Sequence, residues 1–521
     1  MHRKFLFIFL LFLSSHVIGQ NVNVPLDYWG YRFLDRLETK GLFKTHDLRT
    51  RPISRKTFAE LVRTAQKAES QHPNLFSRTE RQLFDQMQSD FRDELAQTGL
   101  NVQHLRHEPH LLKWAEPHGK AYFDLYGRQS IISNRGEQYQ PDDLLSETTM
   151  GGILRGSLDE HVGFYVDARN AVTRGSDVKD ESFDLSKGSP VVTSGPNVIR
   201  DRAIAYFIFG KPWARLELGR DEIDWGPAFH GGLTVTRNMP PAEMIRFSSR
   251  FKRFTFTSAH AFLSSSLGPK YLAAHRIDLT IIPGFYFGGS ETVIYGGRDV
   301  EFAYLNPIMP YHVAEHHLGD RDNNTLSFDV TTTLIPSVKL YGEYFIDDMT
   351  STKSLTKYFG NKFAFLVGGY WVDPLKIRNI DLRFEYARVE PFVYTHWDSI
   401  NIYTHYDKII GHWLGPNSEN VFFQIGYQLS RDLRFELNLE RIRKGVGRAD
   451  THSRPDVGDE KHFLGGIVEN RKLAGLKLTD QIRRDFFISV SYTYSDSRNL
   501  AQIQGRKSYD HLARFVFYFN Y

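Results

Sequence analysis

The sequence predicts an all-β, antiparallel transmembrane barrel of about eighteen strands, preceded by an N-terminal three-helix bundle. Three observations carry that prediction. The chain closes on a strand with Ala513, Phe515, Phe517, Phe519 and Tyr521 on one face and Arg514, Val516, Tyr518 and Asn520 on the other. That is the period of two imposed by a pleated strand, with an apolar stripe for lipid and a more polar one for a wet lumen. The same alternation recurs upstream, with charged residues spaced two apart. Composition agrees: apolar residues make up 41% of the chain, yet aromatics reach 14%, with 40 Phe and 26 Tyr. No run approaches the roughly 18 apolar residues of a membrane helix, whereas aromatic girdles belong to a wide barrel.

Residues 1–19 read as an export signal. His2, Arg3 and Lys4 form a basic region, Phe5 to Leu13 an apolar stretch, and Val17-Ile18-Gly19 a cleavage site before Gln20. The apolar stretch is too short to span a bilayer. No cysteine occurs, which excludes a cysteine-linked lipid anchor, disulfides, thiolate metal sites and cysteine nucleophiles. A net charge of +4 on 521 residues gives no argument for a nucleic-acid partner.

Residues 20–112 carry a helical period. Trp29, Phe33, Leu34 and Leu37 share one face, with Gly41 placed to end the helix. Ser54 caps a second helix whose stripe is Phe58, Leu61, Val62 and Ala65. Ser77-Arg78-Thr79-Glu80 is a capping box, followed by Leu83, Phe84, Met87, Phe91 and Leu95 and closed by Gly99. Three such helices can bury one shared face. They are expected as a small bundle on the periplasmic side.

Residues 113–521 are expected to form the barrel, with a plug and surface loops. From Gly119 onward the period is two. Val162, Phe164, Val166 and Ala168 form one stripe. Leu433, Phe435, Leu437 and Leu439 alternate with Arg434, Glu436, Asn438 and Glu440. Charges at that spacing belong on a wet lumen rather than in a dry sandwich core. Roughly 400 residues, at about 22 per strand and connection, give about 18 strands. The polar stretches from Gly175 to Asn197 and Gly445 to Glu460 are expected to face outward or fold into the pore. The terminal aromatic is similar to the signal that bacterial barrel-assembly machinery reads. That machinery and outer-membrane lipid are therefore expected partners, in the outer membrane of a Gram-negative cell.

Several segments carry a more specific resemblance. Gly219-Arg220, then Trp225-Gly226-Pro227, then Leu233-Thr234-Val235-Thr236-Arg237-Asn238-Met239-Pro240-Pro241 resembles one segment of the Wzi family of capsule-assembly outer-membrane proteins. Asn306-Pro307, Gly319-Asp320-Arg321-Asp322-Asn323-Asn324 and Tyr341-Gly342-Glu343-Tyr344-Phe345-Ile346-Asp347-Asp348 resemble a succession in the same family. Pro25-Leu26 and Arg51-Pro52-Ile53-Ser54-Arg55 also fit. Two departures stand out: Ile223-Asp224-Trp225 replaces paired tryptophans, and Ala228-Phe229 replaces the following glycine.

The resemblance implies a lectin-like protein that holds exported capsular or surface polysaccharide at the cell surface, with no catalysis and no cofactor. The expected polysaccharide-binding residues are Trp225, Arg237, Asn238, Asp320, Asp322, Asn323 and Asn324, because aromatic faces, carboxylates, amides and guanidinia suit sugar rings and hydroxyls. They lie in connections, where binding residues concentrate. The same residues also read as polar turns, and Trp225-Gly226-Pro227 as a pore filler. The rival reading is a porin-like passive channel.

Enzyme motifs are weak. His312-Val313-Ala314-Glu315-His316 fits the inverted zinc-protease pattern, but Pro307, Pro310 and Gly319 leave barely two helical turns. The Asp320–Asn324 run lacks calcium-loop spacing and its bidentate glutamate, so no metal site is expected. Ala261 to Gly268 lacks a nucleophile elbow. Carboxylate pairs suited to glycoside hydrolysis cannot be singled out among 61 acidic residues.

Overall fold

The structure, a computed structural model, describes residues 22–43, 48–97, 102, 110–137, 143–158, 162–175, 184–194, 197–211, 213–350, 352–452, 459–483 and 485–520. The export signal, Gly99 and Tyr521 lie outside the described residues.

Eighteen antiparallel strands close into one barrel. They are β1 (Gly119–Arg135), β2 (Asp143–Leu158), β3 (Val162–Arg174), β4 (Asn197–Lys211), β5 (Ala214–Asp221), β6 (Ala242–Phe251), β7 (Phe254–Leu263), β8 (Lys270–Ile282) and β9 (Phe285–Gly296). The circuit continues through β10 (Asn323–Thr332), β11 (Val338–Asp348), β12 (Lys362–Val372), β13 (Ile380–Val389), β14 (Ser418–Gln428), β15 (Leu433–Lys444), β16 (Glu469–Arg483), β17 (Phe486–Arg498) and β18 (Lys507–Asn520). The chain-terminal strand β18 pairs with β1, Phe515 opposite Ile131 and Phe519 opposite Gly127, so no edge is left open. Short strands Leu112–Glu116 and Ser189–Ser194 extend the wall beside β1 and β4.

The expected alternation is realised. Leu439, Leu476, Leu478, Val490 and Phe515 are exposed on the outside. From the intervening positions Arg434 reaches Asp381 at 3.5 Å along the inner wall, over β14, and Glu440 reaches His230 at 2.9 Å. Connections at one end are tight, such as 211–214, 251–254 and 483–486, while those at the other run long, such as 221–242, 296–323 and 389–418.

Among the described residues four helices precede the barrel: α1 (Gly30–Thr39), α2 (Arg55–Gln71), α3 (Arg78–Asp90) and α4 (Arg92–Gln97). Gly41 sits at φ +84° while its N–H and that of Leu42 bond to the carbonyls of Glu38 and Leu37, a Schellman closure that favours glycine. Ser54 accepts from the Thr57 N–H, and the Ser77–Glu80 capping box is complete. The expected third helix divides at Phe91, whose ring is fully buried and stacked on Phe58 at 4.4 Å between centroids. The chain turns there and restarts, which lets Glu94 meet Arg55 at 2.6 Å.

The helical module is not a separate body. It is seated in the short-turn end of the barrel. Asp35 on α1 receives Lys339 of β11 and Arg383 of β13, the latter at 2.6 Å, and Arg36 bonds Asp373 and Asp381. Tyr286 of β9 donates to the Phe43 carbonyl at 3.0 Å, and Asn23 bridges Glu217 and Asp221 of β5 at 2.8 and 2.9 Å. Burial alone would raise the Asp35 carboxyl, but the two cations hold it below the ordinary carboxylate range.

The lumen is less uniformly polar than the alternation suggests. Ala259, Ala261, Leu272, Ala274, Ala364 and Ala387 line the inner wall of β7–β13 and pack, buried, against Trp225, Leu233, Val235 and Met239 of the 222–241 connection. Small side chains there leave room for a folded loop inside the barrel.

Candidate functional site

The long-loop end is organised around that inserted loop. Asp224 and Trp225 pair as a two-residue strand with Arg51 and Thr50 of the N-terminal module. The Gly226 N–H then donates to the Arg49 carbonyl at 2.8 Å. Gly226 has φ +103°, and a Cβ there would lie 2.3 Å from Glu343 Oε1, so both backbone and space demand glycine. Glu343 on β11 accepts the N–H groups of Leu233 at 2.8 Å and Ala228 at 3.3 Å. Glu385 on β13 accepts those of Phe229 and His230, the latter at 2.7 Å. Two inward carboxylates thus fasten one backbone loop.

The 390–417 connection lies over it. Tyr394 donates to the Leu233 carbonyl at 2.7 Å and receives the His412 N–H at 3.0 Å, while its own N–H bonds Asp347. Burial drives the imidazoles of His405 and His412 down to about 3, so both are neutral. Trp413 Nε1 donates to the His230 carbonyl at 3.1 Å, and the His230 ring stacks on Phe422 at 3.9 Å. Phe229, Trp397 and Trp413 keep 40%, 64% and 37% of their surface exposed.

The 297–322 connection folds back over the outer wall. It carries α5 (Phe302–Leu305) and α6 (Tyr311–His317). Arg298 forks onto Asp322 at 2.9 and 2.6 Å, and Tyr304 donates to the same carboxylate at 2.7 Å. Outward-facing Glu291 of β9 accepts the N–H groups of Tyr311 and His312 at 2.9 and 2.7 Å. The His312 and His316 rings stand 4.3 Å apart, while Glu315 is buried. Among the described residues no three potential ligands group as a metal site.

The seven expected binding residues are therefore split. Trp225 is 2% exposed in the lumen core. Asn238 donates to the Ile409 carbonyl at 2.6 Å and holds the two inner loops together. Asp322 is enclosed by Arg298 and Tyr304. Asn323 is buried and donates to the Asn401 carbonyl at 2.9 Å, and Asn324 points to the outer wall and Glu291 at 3.3 Å. Only Arg237 and Asp320 face solvent. Sequence reasoning did not single out Glu343 and Glu385 as loop anchors, nor Trp397 and Trp413 as exposed rings. The inward parity of the two glutamates was the available signal.

The family model for capsule assembly protein Wzi matches residues 203–512. The matched stretch runs from β4 to β18 and holds both anchoring glutamates. The chain belongs to the Wzi capsule-assembly family. Among solved structures this family member resembles Wzi of Escherichia coli, described as an outer-membrane carbohydrate-binding β-barrel involved in group 1 capsule assembly. The TM-score is 0.58 at 14% identity, over 96% of this chain and 99% of that one. Acinetobacter baumannii OccAB4 aligns with a TM-score of 0.45 at 8% identity, over 77% of this chain and 98% of that one. OprD of Pseudomonas aeruginosa gives 0.42 at 12%, over 77% and 94%. No curated protein matches by sequence.

Proposed function

We propose that this Wzi-family barrel binds exported capsular or surface polysaccharide at its long-loop end and retains it on the cell, without catalysis. The observation that carries the reading is the exposure of the Trp397 and Trp413 rings on loops fastened from inside the barrel, with the Phe229 ring accessible within the lumen. Flat rings take the C–H faces of pyranoses, and charged planar groups direct the hydroxyls. Arg237 and Asp320 supply such groups at the surface; Trp225, Asn238, Asp322, Asn323 and Asn324 act by holding the loops. The carbohydrate binding of the Escherichia coli Wzi barrel supports the same reading.

In this proposal residues 1–19 are removed on export, and residues 20–112 form a plug facing the periplasm, where tight turns belong. Residues 113–521 form the outer-membrane barrel, inserted into lipid by the assembly machinery. A porin-like channel is the second reading, favoured by the inner face of β16, where Lys477 keeps 47% of its side chain exposed.

Binding of the host's own surface polysaccharide to the barrel in detergent separates the two, with conductance run on the same preparation. Saturable binding, weakened about tenfold or more in a Trp397→Ala/Trp413→Ala/Arg237→Ala variant, is expected. Equal binding by the variant would remove these residues from the site, and large steady conductance without any binding would leave a porin.

A further inference from the structure

The outer wall of β15–β18 and β1 changes character within two residue steps. Side by side across the register stand Phe435, Leu478, Val490, Phe515 and Ile131, a row fit for acyl chains. Towards the long loops the next rows bring Tyr492, then Tyr494 and His511, the aromatic residues of a membrane boundary. Beyond them the same outward parity gives Arg441, Lys472, Asp496 and Tyr509, and then Arg443, Asn470, Arg498 and Lys507. Arg135 of β1 adjoins His511.

This outward face therefore holds six cations. Among the described strand residues its carboxylates are Asp496 and, on the neighbouring β14, Glu419, which is taken by Arg443 at 2.6 Å; Glu137 lies exposed just past the end of β1. Among the described residues Arg441 reaches the Asn470 amide oxygen, at 3.3 Å, and no carboxylate. Lys472, Arg498 and Lys507 are exposed and form no ion pair among the described residues. Strands about 4.8 Å apart and rows about 7 Å apart bring these long side chains within reach of a common anion. By contrast Arg220 on β5, on the same outer surface, is paired with Glu243 at 2.9 Å.

We propose that this face binds the phosphorylated headgroup of an outer-leaflet glycolipid. The acyl chains lie along the apolar rows of β15–β18, and Lys472, Arg498, Lys507 and Arg441 surround the phosphates at the level where headgroups begin. The charge lies on the side wall beside the membrane, not around the loop mouth, which favours a lipid over a soluble acidic polymer. The inference rests on the barrel's place in the outer membrane and is independent of the sugar site.

The test uses the full barrel in detergent micelles, titrated with a diphosphorylated glycolipid, with the same lipid after dephosphorylation, with inorganic phosphate and with dextran sulfate. Heat-modifiable gel mobility checks folding. The diphosphorylated lipid should bind the wild type, and Lys472→Gln/Arg498→Gln/Lys507→Gln should weaken it roughly a hundredfold, from the contribution of each cation near an anionic lipid surface. Lys252→Gln/Arg253→Gln, at the opposite rim, should leave binding unchanged. If the triple variant does not fold, each single substitution should still weaken binding several-fold. Undiminished binding by the folded variants, or equal binding of the dephosphorylated lipid, would overturn the proposal. Displacement of the lipid by phosphate would reassign the face to free anions, and displacement by dextran sulfate to a soluble polyanion.

Discussion

Glu343 and Glu385 show how single side chains fix the interior of this barrel. Each turns inward from a strand and accepts two backbone N–H groups of the 226–233 segment. Glu343→Ala would leave the buried Leu233 donor without an acceptor, at about 1–3 kcal/mol, and the half-buried Ala228 donor at less. The expected outcome is an intact barrel with a loosened loop, read as faster proteolysis within 226–233 and a lower Tm. Glu315 behaves differently. Burial raises its carboxyl, and the nearby Asp320, Asp322, Asp348 and Glu291 raise it further, to about 8 from an ordinary 4.5. Between those values it is neutral only in the folded chain, so its contribution is greatest at low pH and falls as pH rises through about 8. Glu315→Gln should match the wild type in Tm at pH 5 and exceed it at pH 9; a constant difference at both would show that the carboxyl is not the cause.

At the scale of elements, the helices and the wall recognise each other through buried charge. α1 presents Asp35 to Lys339 and Arg383, and Arg36 to Asp373, Asp381 and Glu80. Such pairs add little net stability over apolar packing, but breaking one strands its partners. Asp35→Asn should therefore cost about 3–5 kcal/mol of plug docking, measured as a lower denaturant midpoint and as protease access to α1. The helices themselves were legible as a period with caps at Ser54 and Ser77. Their break at Phe91 was not, because it follows from the Phe58 ring on another helix. Similarly, alternation identified the strands, but not that β7–β13 carry small inward residues to receive a loop.

For the whole molecule, the barrel is filled from both ends: by the helical module at the tight turns and by the 222–241 and 390–417 connections at the long loops. The two fillings meet where Thr50 and Arg51 pair with Trp225 and Asp224. Loosening the module should therefore open the lumen. In planar bilayers Asp35→Asn should conduct more, and for longer, than the wild type. Identical traces would mean that the inserted loops alone set the permeability. Two of the segments behind the family resemblance share one place: the tryptophan-glycine segment lies on Glu343 of the tyrosine-glycine-glutamate segment.

The sequence by itself determined the barrel, its strand count, the helical module and the family, because lipid outside and water inside impose a period of two that every strand must obey locally. Only the tertiary structure decided what surrounds the loop residues. Trp225, Asp322 and Asn323 look like binding groups in a polar connection, yet their neighbours come from β11, from Arg298 and from Asn401, far away in the chain. Burial and hydrogen bonding are properties of those distant contacts. The side-wall cations likewise become a patch only when β15–β18 and β1 fall into register around the closed barrel.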